Sequence, residues 1–356
     1  MSKIKSIDIY NFRCYEFERY EFKDNINIIV GNNASGKTSL VEAICLLLSC
    51  KSFRNANDSD MIMHNKDFYS VSGKIKNEIS HDVSIIYSKE GKKVSKDGQI
   101  YKNLSDFIGE FCVVAFSPDD LKLVIGEPKF RRKFLDMSIS QIDKTYLENV
   151  IEYNKLLKER NEFLKSVENG IINDNQKTML LTLSQMLVAR GKEIISKRSW
   201  FINKINMYLC KYVSGISNNN EEGNVKYNPN CNLEEYEKEM MSREKYDLML
   251  GNTSCGPHKD DFTLFVNGKE AVSFGSQGQK KTMALSIKLS LCRLFDESSK
   301  DAIIILDDVF GELDKDRQKY LVEVLDKEKQ IFITTTSIDN ISEEVCEDYN
   351  IIKIKK

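Results

Sequence analysis

Ile26-Asn27-Ile28-Ile29-Val30, running into Gly31-Asn32-Asn33-Ala34-Ser35-Gly36-Lys37-Thr38-Ser39, is the stretch that decides the fold. Its first five residues are dense in β-branched apolar side chains, as in a buried strand. The stretch Gly31 to Thr38 matches GxxxxGK[ST] in full, and a helical pattern then runs from Lys37 to about Cys50. Strand, glycine loop and helix together give that string its chemistry. The glycines let the chain curl so that successive N–H groups face inward around phosphate oxygens. The helix N-terminus adds positive potential, Lys37 reaches the terminal phosphates, and Thr38 is placed to hold Mg²⁺. Residues Gly31 to Ser39 are therefore the expected nucleotide-binding set, with Lys37 also catalytic and ATP–Mg²⁺ the expected ligand.

Such a loop needs a second strand ending in an acid. Ile303-Ile304-Ile305-Leu306-Asp307-Asp308 supplies it. Asp307 is the expected second Mg²⁺ ligand beside Thr38, and Asp308 the catalytic group that polarises the attacking water. These two strands must lie on one sheet although most of the chain separates them, so the residues between are read largely as insertion.

The 356 residues, 41% hydrophobic and 30% charged, suit packed domains rather than disorder. No apolar run approaches a membrane span, and the opening Met1-Ser2-Lys3-Ile4-Lys5 lacks a secretory pattern; a cytoplasmic protein is expected. Nine scattered cysteines without a CxxC pair argue against a disulfide framework or a structural zinc site, and three histidines against a His-rich metal centre. The net charge of −2 hides an uneven distribution: residues 122–212 carry 17 basic and 10 acidic groups. That basic block reads as helical from Ser117-Pro118-Asp119-Asp120 to about Val213, in two helices of roughly 30 to 35 residues forming an arm of about 50 Å. Residues 69–103 alternate as hairpins around Asp97-Gly98, Phe111–Phe116 reads as a buried strand, and 217–232 as an exposed loop. A helix is expected near 233–250, and a strand at Phe262–Val266 turning at Asn267-Gly268.

Ser276-Gln277-Gly278-Gln279, opening a helix just before the acid strand, resembles the signature loop of ABC-type ATPases, and Gly311-Glu312-Leu313-Asp314 resembles their D-loop. The chain as a whole resembles the RecF family of that SMC-like superfamily. The resemblance rests on Asn11-Phe12-Arg13, Lys51-Ser52-Phe53-Arg54, Phe116-Ser117-Pro118-Asp119-Asp120-Leu121, Gly126 with Pro128 to Asp136, Gly256-Pro257-His258-Lys259-Asp260-Asp261 and Thr334-Thr335-Thr336. It implies an α/β ABC-type P-loop ATPase head, with a mixed sheet containing antiparallel strands, and an inserted α-helical arm. The head is expected at 1–116 and 251–356, and the arm at 117–250. The resemblance further implies an ATP-dependent homodimer in which each signature loop completes the partner's site. It also implies weak DNA-stimulated ATP hydrolysis, sequence-nonspecific binding of gapped or duplex DNA, and work with RecR and RecO to load the RecA recombinase in repair, replication and the SOS response.

Three positions depart from the family pattern. Lys259 stands where Arg is usual, Gly311 replaces a small Ser, and Thr occupies the region of the ABC switch histidine; the last two point to slow hydrolysis. The basic block supplies the expected DNA contacts, Lys129, Arg131, Arg132, Lys133, Arg190, Lys192, Lys197 and Arg198. Arg131 and Arg132, inside a matched stretch, can equally position nucleotide or brace the domains. A transporter ATPase is normally shorter between the motifs, and a cohesin-like bridge needs far more coiled coil. The standing alternative is an ATP-gated DNA clamp or scaffold with little or no productive hydrolysis.

Overall fold

The structure, a computed structural model, describes residues 2–54, 56–167, 171–313, 315–325, 328–338, 341 and 349–354. It divides into two compact units, one of residues 1–120, 211–221 and 284–356, the other of 121–210 and 222–283.

The first unit holds two sheets. Strands β1 (Lys3–Phe12), β2 (Tyr15–Glu21), β4 (Tyr69–Lys76), β5 (Ser80–Ser88), β6 (Gly91–Lys96) and β7 (Gln99–Ile100) form an antiparallel sheet in the order β2-β1-β4-β5-β6-β7. Strands β3 (Ile26–Val30), β8 (Cys112–Phe116), β12 (Ala302–Asp307), β13 (Ile331–Thr335) and β14 (Tyr349–Lys353) form a parallel sheet in the order β14-β3-β13-β12-β8. The expected buried strands are thus present, with the antiparallel ones segregated into their own sheet. Helix Lys37–Ser49 packs against strands of both sheets and is buried over nearly its whole circumference. Its Leu46-Leu47-Leu48 run admits no polar face, which is the pattern of a helix enclosed on all sides. One core joins Ile7 and Val71 of one sheet, Leu40 and Leu47 of the helix, and Ile305 and Phe332 of the other. Asp97 and Gly98 both take positive φ, closing the β6–β7 hairpin as expected.

The second unit is helical with a small sheet. Its helices run over Pro128–Ile142, Lys144–Ser166 and Asp174–Ile216, the last 43 residues long and reaching about 65 Å at 1.5 Å per residue. Among the described residues three long helices of unequal length, preceded by the short Lys122–Ile125, thus replace the expected pair. The first break falls at Asp143, whose carboxylate accepts the Tyr146 N–H at 2.8 Å and so caps a new helix. The chain then enters β9 (Gly223–Asn228), which pairs along its length with β10 (Asp261–Val266); β11 (Lys269–Glu270) completes the sheet after a turn at Asn267-Gly268. Strand β9 lies inside the stretch read as a loop, because its Gly and two Asn mask a pattern that only pairing with β10 reveals. The helix expected at 233–250 is two short ones, Tyr236–Ser242 and Glu244–Leu250. Through β10 and β11 the second unit retains residues up to Met283, beyond the return at 251 expected from sequence.

A polar cluster organises this unit. Arg198, buried on the long helix, donates to Asp260 Oδ2 (3.0 Å), Asp136 Oδ1 (2.8 Å), the Pro257 carbonyl (2.7 Å) and the Tyr146 hydroxyl (3.0 Å). Asp260 Oδ1 also accepts the Asn230 N–H. Arg131 grips Asp261 with two hydrogen bonds of 2.6 and 3.0 Å, and Arg132 donates to the Asp260 carbonyl. The stretches Pro128–Asp136 and Gly256–Asp261 are therefore two halves of one brace. Replacing Arg198 with Ala strands the buried Asp260 carboxylate and removes the partner of the part-exposed Asp136, a loss on the order of 3–5 kcal/mol. Chemical denaturation is expected to show that fall for Arg198→Ala, while Lys192→Ala on the surface stays within about 0.5 kcal/mol of wild type. Equal midpoints for the two variants would contradict the brace.

Candidate nucleotide site

Gly36 caps helix Lys37–Ser49 with φ 108°, a conformation L side chains rarely adopt. A Cβ there would lie 2.8 Å from the Tyr15 hydroxyl oxygen and 2.9 Å from Cys14 Sγ. Tyr15, buried at the start of β2, donates to the Gly36 carbonyl at 3.0 Å and fixes the loop from below. Lys37 is 4% exposed, and its ammonium folds back to donate to the carbonyls of Gly31 (2.8 Å) and Asn32 (2.9 Å). Asn32, Asn33 and Ala34 are exposed, whereas Ser35 is buried with its hydroxyl left without a hydrogen-bond partner. An orphaned hydroxyl inside a phosphate-type loop is a costly feature unless a ligand satisfies it.

The acid strand meets this loop. Asp307 Oδ1 accepts hydrogen bonds from Thr38 Oγ1 at 3.0 Å and Thr334 Oγ1 at 2.8 Å. Burial raises the Asp307 pKa, the two threonine hydroxyls oppose that rise, and the neighbouring Asp308 adds to it. A buried carboxylate so disposed gains from a nearby cation. Asp308 is exposed with φ 54°, and its N–H donates to Thr334 Oγ1 at 2.9 Å. Strained backbone at a strand tip beside a glycine loop is a frequent mark of function.

A cavity of about 270 Å³ opens here, lined by Cys14, Asn33, Ala34, Gly36, Lys37, Thr38, Ser39, Arg54 and Asp308. Arg54 and Cys14 carried no role in the sequence reading, although Arg54 lay in a stretch recognised there. Arg54 lies near enough for its charge to draw the Asp307 pKa downward. Its placement follows from a buried network: Arg13 pairs with Glu42 through bonds of 2.9 and 2.8 Å, and Ser52 donates to the same Glu42 carboxylate. The matched stretches Asn11-Phe12-Arg13 and Lys51–Arg54 thus both anchor on the helix behind the loop. The donor set fits ATP and Mg²⁺: an ammonium for phosphate, a threonine hydroxyl and a carboxylate for a hard divalent cation.

Ser276, in the second unit, caps helix Gln277–Glu297, whose residues from Ala284 onward belong to the first unit. Its Oγ accepts the Gln279 N–H at 3.2 Å while Gln279 Oε1 accepts the Ser276 N–H at 2.9 Å, a reciprocal capping box. The hydroxyl accepts in this pairing, so its own proton stays available. Val272 and Phe274 just before it are 46% and 71% exposed. A 3₁₀ turn over Phe310–Glu312 follows the acid strand, braced by Gln318 Nε2 donating to the carbonyls of Phe310 (2.7 Å) and Leu313 (3.2 Å). Asp314 lies outside the described residues.

The family model for the RecF/RecN/SMC N-terminal domain matches residues 3–110. The DNA replication and repair protein RecF of Bacillus thuringiensis (strain Al Hakam) is 37% identical to this chain, covering 99% of it and 96% of that protein. The chain belongs to the RecF family. A solved structure described as the recombination mediator protein RecF with ATP in the RecFOR pathway superposes with a TM-score of 0.89 at 32% identity, over 96% of this chain and 94% of that one. The Smc head domain of Pyrococcus furiosus shares the fold, with a TM-score of 0.57 at 15% identity over all of this chain and 94% of that one.

The basic candidates fare unevenly. Arg198, expected as a DNA contact, instead commits its buried guanidinium to Asp136 and Asp260, and Arg131, expected to contact DNA, position nucleotide or brace the domains, commits its own to Asp261. Lys129 pairs with Glu127, Arg190 with Glu152, Lys192 with Glu237, and Lys197 with Asp143 while lying over the Trp200 ring. Arg132 and Lys133 are half-buried. The acids of the added sheet and short helices bring the second unit to 24 basic against 20 acidic residues. The strongly basic block of the linear sequence is thus much diluted in space. Among the described residues no helix is long and apolar enough to cross a membrane.

Gly36→Ala is expected to lose about 1–3 kcal/mol of stability from backbone strain and the Tyr15 clash. Gly311→Ser, where an added Cβ meets nothing within 4 Å, should be neutral. Thermal unfolding of the two variants distinguishes them, and a Gly36→Ala midpoint equal to that of Gly311→Ser contradicts this loop geometry.

Proposed function

We propose that this RecF-family chain binds ATP with Mg²⁺ between the Gly31–Ser39 loop and Asp307, dimerises on it, and acts on DNA in recombinational repair. The observation that carries the reading is the Thr38–Asp307 hydrogen bond beside a cavity lined by Lys37, Thr38, Arg54 and Asp308, in a loop whose buried Ser35 hydroxyl has no hydrogen-bond partner. Lys37 uses two of its three ammonium protons on loop carbonyls, which leaves the third for a phosphate oxygen. Thr38 and Asp307 would hold the cation, which neutralises charge on the phosphates. Arg54 adds a second positive group to the same cavity.

Asp308 is the group we assign to orienting the attacking water, its carboxylate exposed at the strand tip. The next strand ends in Thr334, whose hydroxyl is held by Asp307 and Asp308, and Thr335, which donates to the Ser337 carbonyl. Neither offers a base, so hydrolysis is slow and the bound state long-lived. In the dimer each Ser276 presents its free hydroxyl proton and a helix N-terminus to the partner's nucleotide, with Val272 and Phe274 providing apolar surface for the contact. Residues Gly311 to Asp314 are assigned to the same interface.

The DNA role is supported by relatives named as DNA replication and repair proteins, and work with RecR and RecO by the RecFOR pathway named for the solved RecF–ATP structure; loading of RecA is proposed from the family resemblance alone. Lys129, Arg190, Lys192 and Lys197 are the candidates we retain for phosphate contacts, through weak ion pairs that a polyanion can exchange. Ser276→Arg is expected to leave ATP affinity of the monomer unchanged and to abolish ATP-dependent dimers in sedimentation velocity. Loss of ATP binding in that variant, or dimers like those of the wild type, contradicts the shared site.

A further inference from the structure

Cys231 and Cys255 stand together in the second unit, joined through their sulfurs, with Cα atoms 6.4 Å apart and 24 residues between them in sequence. Strand pairing creates the meeting. Asn228 at the end of β9 sits opposite Asp261 at the start of β10, so the segment leaving one strand runs beside the segment entering the other. Both cysteines are buried. Glu239, on the short helix Tyr236–Ser242, brings a carboxylate oxygen to them: the two sulfurs and that oxygen all lie within 4.8 Å of one another. The Cys255 Sγ to Glu239 Oε2 distance is 4.0 Å.

A disulfide needs no third group, yet the surroundings hold one in place. Arg243 donates from Nη2 to Glu239 Oε2 at 3.2 Å and from Nη1 to the Ser254 carbonyl at 3.4 Å, tying the carboxylate to the residue before Cys255. Asn230 Oδ1 accepts the Gly256 N–H at 3.0 Å and lies 3.4 Å from Cys231 Sγ, tying the other flank. Outer groups that orient a carboxylate and two sulfurs are the usual support of a metal centre. His258 is not part of the set, since its ring nitrogens meet the Tyr153 hydroxyl and the Thr253 carbonyl.

We propose that, when reduced, Cys231, Cys255 and Glu239 form a binding site for a zinc-class divalent cation. Exchange with a thiol reductant opens the bridge: two reductant thiols leave as a disulfide and each protein sulfur takes a proton. The entering cation releases those two protons to solvent, forms two bonds to sulfur and one to the carboxylate, and leaves a fourth position for water. Two thiolates select zinc over magnesium or calcium, which prefer all-oxygen shells. The half-exposed Glu239 is the route in. Occupancy pins the segment after β9 to Cys255 just ahead of the Gly256–Asp261 brace. The absence of a CxxC pair, which argued against zinc in the linear sequence, does not apply to ligands brought together by strand pairing.

The test uses the full chain, reduced and freed of reductant under inert gas, titrated with Co²⁺ and then Zn²⁺. One equivalent of Co²⁺ is expected to give a thiolate-to-metal charge-transfer band that Zn²⁺ abolishes. Cys231→Ser and Cys255→Ser should lose the band, and Glu239→Gln should bind Zn²⁺ at least about tenfold more weakly. Should the serine variants misfold, alkylation of the reduced wild-type chain decides: Zn²⁺ is expected to protect Cys231 and Cys255, as read by peptide mass. The proposal is overturned by absence of the band, by a band that persists in either serine variant, or by alkylation of the two cysteines unchanged by Zn²⁺.

Discussion

One carboxylate holds the first unit's chemistry together. Asp307 closes β12 and receives hydrogen bonds from Thr38, at the start of the helix that follows β3, and from Thr334 on β13. The nucleotide loop and the acid strand come from nearly opposite ends of the chain, and this contact brings them to one point. Parallel pairing of β3 with β13 and of β13 with β12 sets the register that makes it possible. The cost of burying Asp307 beside Asp308 is borne by a fold that makes other contacts generously, above all the apolar helix Lys37–Ser49 enclosed between two sheets. Electrostatic tension of that kind at a strand end is what a bound cation relieves.

The second unit depends on a buried cation of its own. Arg198 joins the long helix to Asp136 and to Asp260, and Arg131 and Arg132 repeat the theme beside it. Such buried pairs specify one arrangement strongly even where they add little net stability, because any slip strands a charge. This gives a physical reason for the two stretches Pro128–Asp136 and Gly256–Asp261, which looked functional in the linear sequence. They hold a helix, a strand and a turn in register.

The strand–loop–helix at Ile26–Ser49 and the strand Ala302–Asp307 were legible because a glycine loop and a run of β-branched residues are local signals. The signature-like loop Ser276–Gln279 was visible as a motif for the same reason, whereas its capping box shows only in the structure. The resemblance to the RecF family likewise rested on short stretches in order. What escaped depends on contacts between distant residues. Strand β9 is ordinary Asn- and Gly-containing sequence until β10 pairs with it. Arg54 has no marker of its own and reaches the cavity through Arg13, Glu42 and Ser52. The charge of residues 122–212 was summed along the chain, whereas the acids that pair with it, such as Glu237, Asp260 and Asp261, arrive from beyond residue 222.

The account's central claim is that Asp307 and Thr38 together make the Gly31–Ser39 loop a magnesium–nucleotide site. Calorimetric titration of ATP with and without Mg²⁺ tests it most directly, comparing wild type with Asp307→Asn, a variant that retains an acceptor for both threonine hydroxyls. Wild type is expected to bind ATP more tightly when Mg²⁺ is present, and a folded Asp307→Asn chain to bind ATP with no gain from Mg²⁺. A gain from Mg²⁺ in Asp307→Asn equal to that of wild type would contradict the claim.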